Sequence, residues 1–137
     1  MHEWALAEAV VEAVIKEAEK ESLKEILKVK LMVGELQQVD LDVFTFSLEK
    51  LTESYNSILS MDKFIIEIEK SLLKCRVCEN CWSYGQSLKE LADEQTEAIH
   101  FVPEVAHVYM RCPQCGSPDF EIVKGRGLWI EYIEGEK

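Results

Sequence analysis

The chain predicts an α+β fold: a small sheet of about three strands packed with two helices, plus an inserted zinc-ribbon-like module. Apolar residues recur at helical spacing near the start and again after residue 40. Two segments alternate with period two. Cys-x-x-Cys pairs flank a long polar stretch, and each pattern has its own physical cause.

Residues 3–20 place Trp4, Ala7, Val10, Val11, Val14, Ile15 and Ala18 at helical spacing, with Glu12 one turn before Lys16. Residues 26–33 then alternate: Leu27, Val29, Leu31 and Val33 on one side, Lys28 and Lys30 on the other, a half-buried strand that Gly34 ends. Asp40 is placed to cap a second helix running to about Ser54, with Leu41, Phe44, Leu48 and Leu51 on its inner face. A strand over 63–73 is expected to bury Phe64, Ile66 and Ile68 and to turn Glu67 and Glu69 to water. It leads straight into the first cysteines. Residues 83–111 are polar and acidic, with a weak helical stretch near Ser87–Glu94 and an extended run over Val105–Met110. The last pattern, Phe120–Ile133, alternates around Gly125-Arg126-Gly127, as a strand with a bend or bulge does. With strands on both sides of the cysteines, the expected division is a sheet domain of residues 1–72 and 119–137 around a zinc-binding module of residues 73–118.

Cys112-Pro113-Gln114-Cys115-Gly116 has the form of a metal knuckle: two thiols two residues apart, then a glycine free to take positive φ. Upstream, Cys75-Arg76-Val77-Cys78-Glu79-Asn80-Cys81 offers a second pair and one thiol over. Two pairs complete the tetrahedral S₄ set of structural zinc. The gap between them exceeds the usual ~15–20 residues, which means an inserted loop. A disulfide framework is opposed by the odd number of cysteines, five, and by acidic and small residues where an apolar leader would stand. Thiols kept reduced read as metal ligands and place the protein in the cytoplasm. No apolar run approaches the ~20 residues that span a bilayer. Two pairings of the upstream cysteines stay open. Cys78 with Cys81 has the better turn residue, since Asn80 tolerates left-handed backbone and β-branched Val77 does not. Cys75 with Cys78 follows directly on a strand and puts Trp82 four residues past the second ligand. The latter pair is preferred, with Cys81 as the alternative ligand.

Charge narrows the function. The chain carries a formal net charge of −11, with 9 basic and 15 acidic residues through Lys74 and 6 and 11 after it. Phosphate binding needs clustered Lys and Arg, and none cluster here, so nucleic acid is not expected as a partner. A closed S₄ site, no Gly-rich phosphate loop and no nucleophile–base pair all argue against an enzyme. The remaining contrast is between a zinc-ribbon adaptor and a carrier of a second metal, and it turns on the first residues. The Met1 amine, the His2 backbone nitrogen and the His2 imidazole Nδ1 can close two adjacent chelate rings on one ion. Such a flat, nitrogen-rich set suits Ni(II) or Cu(II) and not tetrahedral Zn(II). A fourth donor is wanted. His107 sits in an apolar alternation where a packed histidine is expected, whereas His100, before the Pro103 turn, is the candidate.

Taken together, Met1-His2-Glu3 opening a helix, Val33-Gly34-Glu35-Leu36 after the first strand, the Phe- and Leu-rich Asp40–Leu51 helix and the paired cysteines resemble the HypA family. The resemblance covers nearly the whole chain, and the long segment between cysteine pairs is similar to the archaeal branch. It implies a nickel-binding α/β domain and a zinc domain, with Ni(II) as transient cargo and Zn(II) as structural metal. It implies His2 as the essential nickel ligand, with Glu3 giving a backbone nitrogen or a supporting carboxylate. It further implies delivery to the [NiFe]-hydrogenase large-subunit precursor, aided by a HypB-like nucleotide-hydrolysing maturation protein, hydrogenase and urease maturation both falling within the family. No membrane partner is expected, and an inserted module on a strand-like hinge is compatible with a homodimer by exchange. Cys81 departs from the family pattern and keeps the zinc pairing open.

Overall fold

The computed structural model describes residues 2–37, 39–88 and 91–137, with Leu88 described by its backbone alone. It divides into two compact units: residues 1–32, 39–67 and 129–137 form the first, and residues 33–38 and 68–128 the second.

In the first unit, α1 (Glu3–Lys20) buries Ala7, Val10, Val11, Val14 and Ala18, one stripe of the expected helical face. Trp4, at the uncovered end of that stripe, is 48% exposed. Strand β1 (Glu25–Gly34) buries Val29, Leu31 and Val33 as alternation requires, but at its start Ile26 is buried and Leu27 exposed. There the Ile26 amide donates to the Ile58 carbonyl (3.0 Å), outside the regular ladder. Helix α2 (Leu41–Thr52) starts where Asp40 Oδ1 accepts the amides of Asp42 (3.1 Å) and Val43 (3.2 Å), a cap worth about 1 kcal/mol. Phe44 and Leu48 are buried, whereas Leu41 is exposed and Leu51 half-buried. Ser47 and Thr52 complete the inner face, their hydroxyls donating to the Val43 and Leu48 carbonyls at 2.8 Å each. α1 and α2 pack along one another, and the Glu3 carboxylate accepts the Asp40 amide (3.4 Å), tying the two helix starts together. The sheet runs β2-β1-β6, from β2 (Phe64–Glu69) to β6 (Leu128–Glu136). Lys30 on the central strand reaches Glu67 (2.7 Å) on one neighbour and Glu131 (4.0 Å) on the other.

The second unit is built on β3 (Leu72–Cys75), with β4 (Cys81–Ser83) and β5 (Phe120–Lys124) antiparallel on either side. Its core holds Leu36, Leu73, Trp82, Tyr84, Ile99 and Phe120 together with Cys75 and Cys112. Trp82 meets Phe120 edge-on at 5.4 Å, as aromatic quadrupoles prefer. Between the cysteine pairs lie α3 (Tyr84–Leu88), α4 (Asp93–Phe101), a 3₁₀ turn (Pro103–Val105) and α5 (Ala106–Tyr109).

Three expectations are corrected here. The run 105–110 is not extended: Pro103 opens the 3₁₀ turn, and Ala106 and Met110, one helical turn apart, are the buried pair. The strand expected over 63–73 is two, β2 and β3, belonging to different sheets, and of its apolar residues Ile68 is exposed. Phe120–Ile133 is likewise two strands, broken at Gly125 (φ +96°) and Gly127 (φ +83°). The compact units follow these strand pairings. Residues 119–128 join the cysteine unit because β5 pairs with β3, and residues 33–38 join it because Leu36 is fully buried in its core.

The passage out of β1 is a close backbone crossing. The Gly34 amide donates to the Gly127 carbonyl (2.7 Å) and the Leu36 amide to that of Gly125 (3.0 Å). The Gly125 amide in turn donates to Glu69 (2.8 Å), and the Ser71 hydroxyl to the Gly125 carbonyl (3.2 Å). A Cβ on Gly34 would lie 2.4 Å from the Gly125 carbonyl oxygen. Gly34→Ala is expected to destabilise by about 1–3 kcal/mol through overpacking, read as a lowered urea midpoint with an unchanged slope.

Tyr84 is a second point of tension in this core. Its hydroxyl is buried and has no hydrogen-bond partner among the described residues. Burial, and then the Glu35 carboxylate, push its pKa above the usual tyrosine value. Since the unfolded chain ionises this group at lower pH than the folded one, the associated stability is fully present below ~10 and is lost on going more alkaline. Tyr84→Phe should therefore leave stability at neutral pH unchanged or raised by up to about 1 kcal/mol. It should also flatten the alkaline fall in unfolding free energy, followed by denaturant titrations across pH.

Candidate metal centre

Cys75, Cys78, Cys112 and Cys115 bring their sulfur atoms within 4.8 Å of one another. Cys75 and Cys115 are 3.5 Å apart and Cys78 and Cys112 3.6 Å, and none of the five cysteines forms a disulfide. A tetrahedron of thiolates with Zn–S bonds of about 2.3 Å has edges of about 3.8 Å, so this set fits a Zn(II) ion with little adjustment. Cys81 stands apart: it is exposed at the start of β4, its thiol directed at the Glu79 carbonyl (3.9 Å).

The two pairs are built alike. The end of β3 delivers Cys75, and the loop before β5 delivers Cys112. In each, the first cysteine's carbonyl accepts the amide of the residue after the second cysteine: Glu79 at 3.0 Å, Gly116 at 2.8 Å. Its amide donates to the next carbonyl along, Asn80 at 2.8 Å and Ser117 at 2.9 Å. The residue that turns the chain is left-handed in both, Glu79 with φ +64° and Gly116 with φ +75°. Backbone amides then point at sulfur, Val77 (3.3 Å) and Cys78 (3.5 Å) at Cys75 and Gln114 (3.4 Å) at Cys112.

Electrostatics follow from this geometry. The Cys78 amide, against the effect of burial, holds the Cys75 thiol below its ordinary value. Burial raises Cys112, but the amides of Cys115 and Gln114 and the neighbouring thiols outweigh it and bring it down to about 6. Cys78 is drawn down by the Asn80 amide, yet burial and the surrounding sulfurs push it up to about 12. Cys115, despite the Ser117 amide, is likewise pushed up by burial and by the Cys75 and Cys112 sulfurs. Four sulfurs this close cannot all ionise unaided: two release protons readily and two retain them until a dication takes the protons' place.

The nitrogen donors are distributed differently. His2 is exposed and stands at the N-cap of α1, its carbonyl accepting the Leu6 amide (3.0 Å) and its side chain making no cap bond. Met1 lies outside the described residues. Glu3 is the first residue of α1, with its carboxylate on the Asp40 amide. His100 is not in a loop before Pro103: it occupies the last turn of α4, 4% exposed, its ring 5.2 Å from that of Phe101. His107 is packed, its ring 4.3 Å from Phe120 and its Nδ1 3.1 Å from the Pro118 carbonyl. Sequence reasoning missed Glu79 as the left-handed residue. Gly116, one place after the second cysteine of the other pair, carried that signal.

The family described as hydrogenase/urease nickel incorporation, metallochaperone, HypA matches residues 1–135. The hydrogenase maturation factors HypA of Pyrococcus horikoshii and Pyrococcus furiosus are each 43% identical over 137 residues, spanning 100% of this chain and 97% of theirs. That of Thermococcus kodakarensis is 41% identical over the same span. The solution structure of the Ni metallochaperone HypA from Helicobacter pylori superposes with a TM-score of 0.57 at 21% identity, covering 99% of this chain and 98% of the other, a likeness of fold. The class is thus that of metallochaperones, which carry a metal rather than transform a substrate. The chain belongs to the HypA family of hydrogenase maturation factors. Among the described residues no helix is long and apolar enough to cross a membrane.

Serine substitution of Cys75, Cys78, Cys112 or Cys115 is expected to abolish stoichiometric zinc, while Cys81→Ser retains it. Elemental analysis of the purified variants checks this, and zinc lost with Cys81 but kept without Cys75 would reverse the assignment.

Proposed function

We propose that this protein carries Ni(II) at its N-terminal end and hands it to the large-subunit precursor of a [NiFe]-hydrogenase, while Zn(II) on Cys75, Cys78, Cys112 and Cys115 is purely structural. The observation that carries the reading is His2: exposed, at the N-cap of α1, with a side chain the helix does not use. The first amides of a helix have no carbonyl behind them, so the nitrogens of His2 and Glu3 are not consumed by helix hydrogen bonding. In a chain starting at Met1, they join the terminal amine and the His2 imidazole in a flat nitrogen set. Because the Glu3 carboxylate is engaged with the Asp40 amide, Glu3 contributes through its backbone.

Physical chemistry favours such a site for cargo. The positive end of the α1 dipole favours the negative charge of deprotonated amides, which are the donors Ni(II) needs for square-planar binding. Zn(II) would be held poorly by this set, although it competes on raw affinity elsewhere. Acidification must weaken binding, because protons compete for both imidazole and amide nitrogen. The match across residues 1–135 to a nickel-incorporation family supports the cargo, and relatives named for hydrogenase maturation are the ground for proposing hydrogenase as the destination. A HypB-like nucleotide-hydrolysing protein is the proposed partner in transfer, and the cytoplasm, where thiols stay reduced, is the proposed compartment.

Calorimetric titration of Ni(II) into protein with an authentic start tests this. His2→Ala is expected to lose stoichiometric nickel with zinc content and circular dichroism unchanged, and an N-terminal extension should weaken binding too. Nickel bound as well by His2→Ala as by the parent would overturn the assignment. His100→Gln in the same titration decides the proposed fourth donor. A ligand's removal weakens nickel, whereas a core residue's removal lowers stability alone.

A further inference from the structure

Arg76 sits between the first two cysteines, where a knuckle needs no particular side chain, yet it is tied to the segment leaving the second knuckle. The β3–β5 ladder ends at the pair Cys75 and Phe120. One step further on, the Arg76 amide donates to the Asp119 carbonyl (2.9 Å), so pairing continues into the first knuckle. The side chain repeats the connection. Its Nη1 donates to Asp119 Oδ1 (3.0 Å) and to the Phe120 carbonyl (3.2 Å), and its Nε lies 3.9 Å from the Glu121 carboxylate. Asp119 is set in turn by the second knuckle: its amide donates to the Ser117 hydroxyl (3.0 Å), and the Ser117 carbonyl accepts the Cys112 amide (2.9 Å). A run of bonds thus leads from Cys112 through Ser117 and Asp119 to Arg76, beside Cys75. No mirror image of it can form, because Pro113 holds the matching place in the second knuckle and has no amide hydrogen to give.

We infer that Arg76 is a positioning residue that carries the β3–β5 ladder into the first knuckle and holds the two cysteine pairs face to face before a metal arrives. The inference rests on the zinc reading above. Other contacts cross between the pairs, but the sulfur–sulfur contacts and the Asn80 bond to Cys112 run through the ligands themselves. The Arg76 bonds do not, so removing its side chain leaves every donor atom in place. An ion that meets two loops already ordered need not order them itself, and that saving appears as affinity. Arg76 and Asp119 are half exposed, so their pairing is screened and its contribution modest.

The test uses the full chain. In metal-free, reduced protein, dibromobimane bridges only neighbouring sulfurs. Peptide mapping then separates bridges across the pairs, Cys75 to Cys115 and Cys78 to Cys112, from bridges within a pair. Arg76→Ala is expected to lower the ratio of cross bridges to within-pair bridges about five-fold. Zinc affinity, measured against a chromogenic chelator, should weaken by about the same factor, the upper end for an exposed ion pair. The affinity deficit should shrink at high salt. Asp119→Ala should behave similarly, and the double variant should be no worse than Arg76→Ala. With Co(II) loaded, the thiolate charge-transfer band should match the parent's, since the four sulfurs are untouched. A parental ratio and affinity in Arg76→Ala, additive losses in the double variant, or a shifted Co(II) band would each overturn the role of Arg76. No tetrahedral Co(II)–thiolate band in the parent would overturn the metal site instead, and the bridging ratio would still judge the clamp.

Discussion

Sulfur atoms packed within 4.8 Å of one another constrain everything built around them. As thiolates they would repel one another, and a dication at their centre would relieve that repulsion. The second unit is small, and its core is drawn from short strands and short helices. Units of this size gain only modest stability from apolar burial, and a metal bound at this cluster would add a crosslink. Two of the four cysteines, Cys75 and Cys112, are themselves core residues, so a metal held there would be continuous with the apolar packing of Trp82 and Phe120. Permanence here is a matter of chemistry: soft ligands, a closed shell and no open position.

The first unit treats its end of the chain in the opposite way. Its fixed parts are the helix starts, where Asp40 caps α2 and the Glu3 carboxylate takes the Asp40 amide. His2, at the N-cap of α1, is exposed and makes no side-chain cap bond. A carrier must let go, and a donor set with few supporting contacts has little to break when a competing ligand arrives. The same chain thus joins a cluster of largely buried, hydrogen-bonded sulfurs to an exposed histidine, the proposed nickel donor.

Much of this was legible in the sequence, and the failures share a cause. Both long helices, the Asp40 cap and the inward Val29, Leu31 and Val33 of β1 follow from periodicity and capping chemistry, because local rules and burial agree there. The preferred pair Cys75 and Cys78 rests on the strand that precedes it, and the cluster contains those two, with Cys81 outside. Alternation could not say which sheet a strand joins. The runs 63–73 and 120–133 each pass between two sheets, so one pattern covered two elements. The run Val105–Met110 alternates over too few residues to separate period two from a helical turn, and burial of Ala106 with Met110 decided it. His100 was misplaced for a related reason: the polar segment around it gave little sign of helix, yet the Gln95 side chain accepts the Ala92 amide and starts α4.

Leu36 has a consequence for how this architecture can be manipulated. It lies in the 3₁₀ turn Glu35–Gln37 that follows β1, far in sequence from residues 68–128, and is part of the cysteine unit's core. A contiguous cassette of residues 68–128 would omit it and leave a hole in the apolar interior, so no single cut liberates a complete domain. Swapping this portion between orthologues, or grafting it onto another scaffold, requires moving residues 33–38 along with it.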